Sequence, residues 1–205
     1  MGVQNYLNAI VNGKGMAKSN TYAIYFSGDV ITNRLGVSRG GLDSAVDGKN
    51  FNPSKVGQRI LLMCDEVSLP GVQSSTGSVS GRYQGQGPVY YPVSPIYTDL
   101  QLSFMCDAEM QALKFLLDWH EYIYLTTTAK SNNKARKLKY PNEYQCNITI
   151  EKREKNATDE IGALTLTYNL YNAWPYSVDA VPLSYGSSQL VKCTANFYYS
   201  SWDKK

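Results

Sequence analysis

Three stretches of this 205-residue chain alternate apolar and polar side chains with a period of two, and only one stretch carries a strong helical period. Leu100, Leu102 and Phe104 alternate with Gln101 and Ser103. Leu164, Leu166, Tyr168 and Leu170 fall on one side, as do Val191, Cys193, Ala195, Phe197 and Tyr199. A period of two gives a strand one buried face and one wet face. Residues 21–26 (TYAIYF), 58–67, 89–91 and 143–150 read as further strands, and 96–104 extends the first alternating run. Residues 72–87 alternate weakly and are rich in Ser and Gly, so they read as an extended, exposed strand or hairpin arm. Residues 5–11 suit a short first helix. The main helix begins at Asp107, a good N-cap, with Glu109 complementing the dipole in the first turn. Met110, Leu113, Leu117 and His120 recur at helical spacing, and Phe115, Leu116 and Trp119 widen the stripe; the pattern fades by Leu125. Strands that do not alternate with helices exclude a doubly wound parallel sheet. The expectation is a mostly β, antiparallel barrel or sandwich with one principal α-helix packed on the outside, forming a single domain over 1–205.

Connections carry the remaining signals. Residues 27–57, rich in Gly, Ser, Asp and Asn, read as a long loop or insertion of the kind that is functional or mobile. Leu69-Pro70-Gly71 predicts a turn. Residues 126–142 form a polar loop holding Lys130, Lys134, Arg136, Lys137 and Lys139. Its cations could meet an acidic face of a neighbouring subunit, meet phosphate, or be solvated. Trp174-Pro175 is expected to break the strand before it. Tyrosine is unusually common, at 17 residues against 5 Phe and 3 Trp. It suits half-wet surfaces, so a large subunit interface is one reading and a Tyr-rich sheet core the other.

Signs of chemistry are weak. Gly36-Val37-Ser38-Arg39-Gly40 matches the G-x-S-x-G nucleophile elbow, but neither an apolar strand precedes it nor a helical pattern follows. His120 is the chain's one histidine; on an apolar stripe it reads as structural. Asp65 and Glu66 are adjacent in a strand and point to opposite faces. Cys64, Cys106, Cys146 and Cys193 are widely spaced and lie in or beside apolar runs, so they read as small hydrophobes and not as metal or redox motifs. Asn147-Ile148-Thr149 and Asn156-Ala157-Thr158 match the glycosylation pattern by chance. A net charge of +3 is too small to imply nucleic-acid binding. No run of 18 apolar residues predicts a membrane span. Residues 1–15 lack the basic start and apolar core of a signal peptide, so the chain is expected to stay in the cytoplasm where it is made.

The order of features resembles the tail tube proteins of contractile-tailed bacteriophages, whose wider family includes the tube proteins of type VI secretion systems. Residues 64–71 look like the strand running into a Leu-Pro-Gly turn. Residues 99–104 look like the alternating strand opened by an acidic residue. Asp107, Met110, Lys114-Phe115 and Asp118-Trp119 look like the single helix. Trp174-Pro175 and the closing Tyr199-x-x-Trp202 look like the final turn and strand. The longer 27–57 segment and the basic 126–142 loop depart from the pattern.

The resemblance implies a structural virion protein with no catalytic, metal or cofactor site, assembled in the host cytoplasm and resident in the tail without membrane insertion. Hexameric rings would stack head to tail, with sheets of neighbouring subunits joined into an inner barrel and the helix outward. Its partners would be further copies, the sheath, baseplate and terminator proteins, and genomic DNA in transit. The implied assembly residues are Ser74, Val79, Arg82 and Tyr83 of the arm, with Lys134, Arg136 and Lys137 of the basic loop. Leu69, Pro70, Gly71, Asp107, Trp119, Trp174, Pro175 and Trp202 would be framework. The basic loop is expected on the outer or ring-to-ring surface, because a lumen lined with cations would hold DNA phosphates. A tube initiator of the baseplate and a secretion-system tube protein are alternatives of the same class; a serine hydrolase is the alternative from another.

Overall fold

A computed structural model describes residues 3–4, 8, 17–28, 60, 63–81, 85, 87–124, 126–127, 135–136, 138–154, 163–183, 185 and 190–205. In chain order the elements are β1 (Tyr22–Ser27), β2 (Cys64–Val67), β3 (Val72–Val79), β4 (Val89–Tyr97), β5 (Leu100–Met105), α1 (Gln111–Ile123), β6 (Thr126–Thr127), β7 (Ala135–Arg136), α2 (Pro141–Tyr144), β8 (Cys146–Glu154), β9 (Ala163–Val178), β10 (Lys192–Tyr198) and β11 (Ser201–Lys204). Every strand pairing is antiparallel. The main sheet runs β1-β8-β9-β10-β5-β2, with β11 added to β9. It does not close on itself, so the fold is a mostly β sandwich with one main helix.

The alternating runs set its core. Leu100, Leu102 and Phe104 are fully buried, and they lie opposite Phe197, Ala195 and Cys193 of β10, which are buried too. Phe26 of β1 lies opposite Ile148 of β8, which lies opposite Leu170 of β9. α1 closes this core with Ala112, Phe115, Leu116, Trp119 and Ile123. Trp119 sits 6.1 Å from Phe26, 5.8 Å from Phe115 and 5.8 Å from Phe197, ring centre to ring centre. Its indole N–H donates to the Tyr144 carbonyl at 2.9 Å, which ties α1 to α2.

α1 corrects the sequence reading at its start and on its face. The cap position is Met110, in a left-handed conformation (φ 55), and not Asp107. Asp107 still does a cap's work from one turn earlier, because its carboxylate accepts the Gln111 N–H at 2.8 Å. Glu109 lies ahead of the first turn and accepts from the Gln111 side chain. The buried stripe is centred on Ala112, Phe115 and Trp119, while Leu117 is exposed and His120 lies at the rim beside the Tyr124 ring. Asp107→Ala is expected to cost about 1 kcal/mol, the usual value of a lost cap at a helix N-terminus. Chemical denaturation checks this, and Asp107→Asn should recover most of it.

β9 is a second correction. Trp174-Pro175 does not break the strand, which continues for sixteen residues to Val178. Its first part pairs with β8 and β11, and its last part pairs with β10. The handover falls at Asn172, which takes a left-handed backbone (φ 57), a conformation that Asn tolerates better than most residues. The Asn147 side chain accepts the Asn172 N–H, and Asn172 donates to the Ser200 hydroxyl. Pro175 is buried opposite Phe197. Trp174 is half-buried between the rings of Tyr144 and Tyr198. Trp202 packs edge-on against Tyr168 at 5.2 Å.

The open edges β1 and β2 face one another. The Tyr22 hydroxyl bridges them by donating to the Cys64 carbonyl at 3.1 Å, beside a cleft of about 420 Å³ whose lining includes Tyr22, Glu66, Val67, Leu69, Ile150 and Lys152. Burial, followed by the nearby Cys64, Asp65 and Glu66, pushes the Tyr22 phenol up to about 12 from 10.0. The folded state therefore holds the proton longer than the unfolded chain. Stability from this group is complete below pH 10 and is expected to fall as pH rises from 10 to about 12. Denaturant midpoints across that range should fall less steeply in Tyr22→Phe than in the wild type.

The four cysteines are free thiols. Cys146 and Cys193 are buried, and Cys64 and Cys106 are half-buried. Burial raises the thiol pKa of Cys64 and Cys193 to about 12 and that of Cys146 well above its ordinary value, so all three stay protonated near neutral pH.

Candidate assembly surface

β3 and β4 leave the sandwich together as a two-stranded hairpin that, among the described residues, pairs with no other strand. Eight and nine residues at about 3.3 Å each make an arm of roughly 25–30 Å. Both strands are exposed along nearly their whole length. A lone hairpin of this kind is marginal in water. The arm is also apolar for so exposed an element. Val72, Val79, Val89, Tyr90, Tyr91, Val93 and Ile96 are each about half exposed or more, and neither strand contains a charged residue.

The base of the arm is a neck, and it gives Leu69-Pro70-Gly71 its place. The expected reverse turn is absent, because the chain passes from β2 through this tripeptide directly into β3. Pro70 is buried and Leu69 is exposed. The Gly71 N–H donates to the Thr98 hydroxyl at 2.9 Å, and the Thr98 N–H donates to the Gly71 carbonyl at 3.3 Å. A Cβ at Gly71 would lie 3.0 Å from the Thr98 hydroxyl, so the crossing is close enough to favour glycine. The Tyr199 hydroxyl donates to the Thr98 carbonyl at 2.6 Å, and Tyr97 packs against the Tyr199 ring. One strand residue further on, Asp99 accepts from Tyr176 at 2.7 Å. That phenol stacks on Tyr198 at 3.9 Å.

The residues expected at the assembly surface do not converge on one patch. Ser74 and Val79 both lie on β3 and are exposed, but on opposite faces of the arm. Arg82 and Tyr83, and Lys134 and Lys137, lie outside the described residues, as does the Gly36–Gly40 stretch with Ser38. Arg136 lies in β7, which pairs only with β6. From residue 29 onward, the 27–57 segment also lies outside them. At the end of the basic stretch, the Lys139 ammonium stands 3.1 Å over the Tyr122 ring, and the Lys139 backbone N–H donates to the Ile123 carbonyl. This places the exit of the loop on the C-terminal end of α1. Residues 89–97 were not singled out as surface. Their signal was Pro92 and Pro95 within an aromatic run, since proline in a strand marks an edge.

Among the described residues no three His, Cys, Asp or Glu side chains gather as metal ligands, and no helix is long and apolar enough to cross a membrane.

No curated protein matches the sequence. Solved structures do match the fold. A chain of the anti-feeding prophage baseplate is 12% identical over 93% of this chain and 95% of its own, with a TM-score of 0.55. A chain of the PVC sheath–tube complex, an extracellular contractile injection system in its extended state, is 12% identical over 100% and 98%, with a TM-score of 0.54. A chain of the PVC sheath/tube terminator is 12% identical over 93% and 96%, with a TM-score of 0.55. At such identity the likeness speaks to the fold alone. The family model described as phage tail tube protein matches residues 17–205, nearly the whole sandwich together with its arm. The chain belongs to the phage tail tube protein family, and it is a structural protein and not an enzyme.

Proposed function

We propose that copies of this chain form hexameric rings that stack into the inner tube of a contractile tail, through which genomic DNA leaves the particle and around which a sheath assembles. The observation that carries the reading is the β3–β4 arm, a largely exposed hairpin whose strands are uncharged and whose outer edges, among the described residues, are unpaired. An isolated subunit gains little by holding such an element in water, whereas a polymer gains by covering it. Exposed strand edges are normally blunted in monomers, and here they extend along the whole arm. Head-to-tail contacts between such surfaces propagate as rings and open filaments.

Within this reading the chain acts as one unit over 1–205. Val79, Arg82 and Tyr83 belong to the subunit interface of the arm, and Ser74, which the sequence reading also put there, lies on the arm's other face. Lys134, Arg136 and Lys137 lie on the outer or ring-to-ring surface, which agrees with the seating of Lys139 on Tyr122 of α1. The partners are further copies, a sheath protein, and the baseplate and terminator proteins that bound a tube. The site of action is the virion tail, reached after assembly in the host cytoplasm. Electron microscopy of the purified protein in negative stain tests the reading: hollow tubes with six-fold end views are expected. Protein that stays monomeric at high concentration and across salt conditions would remove it.

A further inference from the structure

The arm has two different faces, and its register shows which one is made to be covered. In an antiparallel pair, directly opposed residues share a face and successive residues alternate. From the base outward, one face carries Gln73 with Ile96, Ser75 with Ser94, Gly77 with Tyr91, and Val79 with Val89. The other carries Val72 with Tyr97, Ser74 with Pro95, Thr76 with Pro92, and Ser78 with Tyr90. Simple alternation along β4 would put Val89 and Tyr91 on one face and Ile96 on the other. The register shift between Ser75 and Thr76 leaves Val93 unpaired, and that one extra residue reverses the parity. As a result Val79, Val89 and Ile96, three of the four paired aliphatic residues of the arm, stand together. On the same face Tyr91 lies across Gly77, close enough that a Cβ there would be 2.6 Å from the ring. The opposite face carries Ser74, Thr76 and Ser78 beside Pro92, Pro95, Tyr90 and Tyr97, and Val72 at the base is its one paired aliphatic residue.

We infer that the Val79–Val89–Tyr91–Ile96 face is covered by a second copy of this chain, while the Ser74–Thr76–Ser78 face stays in water. This rests on the tube reading and adds to it which side of the arm is the contact. A second copy fits the surface because the two strands of the arm carry no charge to complement: between Val72 and Tyr97 the sequence holds a single cation, Arg82 in the connection between them, and no carboxylate. A charged partner would find nothing to pair with along either strand, whereas another copy offers the same uncharged apolar surface. Among the described residues β3 and β4 have free outer edges, which would also let neighbouring arms continue the sheet.

The test uses two pairs of adjacent residues that point opposite ways. Val79→Lys and Val89→Lys place a cation on the aliphatic face, and Ser78→Lys and Tyr90→Lys place one on the other. All four positions are exposed in the single chain, so melting temperatures of the unassembled variants should match the wild type. Pelleting and negative stain then read assembly. A cation buried without a partner is costly, so the two aliphatic-face variants are expected to lose polymer by about tenfold or more. The other two should remain within about twofold of the wild type. Equal loss on both faces, loss only on the hydroxyl face, or normal tubes from all four variants would overturn the inference and leave the tube reading standing. A wild-type chain that forms no polymer would remove both.

Discussion

Trp119→Ala is expected to destabilise the subunit by roughly 3–5 kcal/mol, the range for truncating a fully buried large aromatic. Trp119 has no exposed surface and fills the space between α1 and the two sheet halves, in contact with Phe26, Phe115 and Phe197. Those rings belong to β1, α1 and β10, so no single element can move in to close the cavity. The variant also leaves the Tyr144 carbonyl without its indole donor, a further penalty for a polar group away from water. Urea denaturation of unassembled protein measures the loss. Trp119→Phe separates the two contributions, because it keeps most of the volume and removes only the donor; about 1–2 kcal/mol is expected for it. A midpoint for Trp119→Ala equal to that of the wild type would show that α1 does not close the core as described.

Excision of the arm is expected to have the opposite signature, abolishing assembly with little change in the fold. Gly71 and Thr98 are hydrogen-bonded to one another at the neck, so a short Gly-Ser link between them can replace Val72–Tyr97 without strain on the sandwich. None of the fully buried core residues lies in the removed segment. The shortened chain should melt within about 5 °C of the parent, the shift that ~1 kcal/mol produces in a domain of this size or smaller, and should stay monomeric at concentrations where the wild type polymerises. Tubes from the shortened chain would show that the arm is dispensable for stacking. A large loss of stability would show that it belongs to the core.

The alternating runs were legible because period-two patterning is local and each strand has one dry face. Leu100–Phe104 and Val191–Tyr199 read directly as strands with one dry face; that they pair with one another, as β5 and β10, is seen only in the fold. The helix was legible in position and in part of its buried face, since Phe115, Leu116 and Trp119 read as apolar stripe and are buried. Met110, Leu113 and Leu117 satisfy a helical period, yet the true face includes the small Ala112, whose value lies in letting α1 approach closely and which carries no hydrophobic signal of its own. Trp174-Pro175 misled because proline interrupts most strands. Here the register skips a residue opposite Asn196 and Phe197, and the irregular ladder accommodates the proline. In the arm, the face that matters depends on one unpaired residue, Val93. Parity along a strand is readable only until a bulge, and nothing in the Val93 side chain announces one. Ser74 and Val79, five residues apart in β3, point to opposite faces of the arm.

The neck at Gly71 and Thr98 also bears on mechanics. Both strands of the arm enter and leave the sandwich through a single crossing, so the arm and the rigid core are joined at a point and not along a seam. In a stack of such subunits, a bending load would fall on these crossings before it reached the aromatic cores, and curvature would be spread over many small changes of arm angle. Compliance and strength would thus reside in different parts of one subunit.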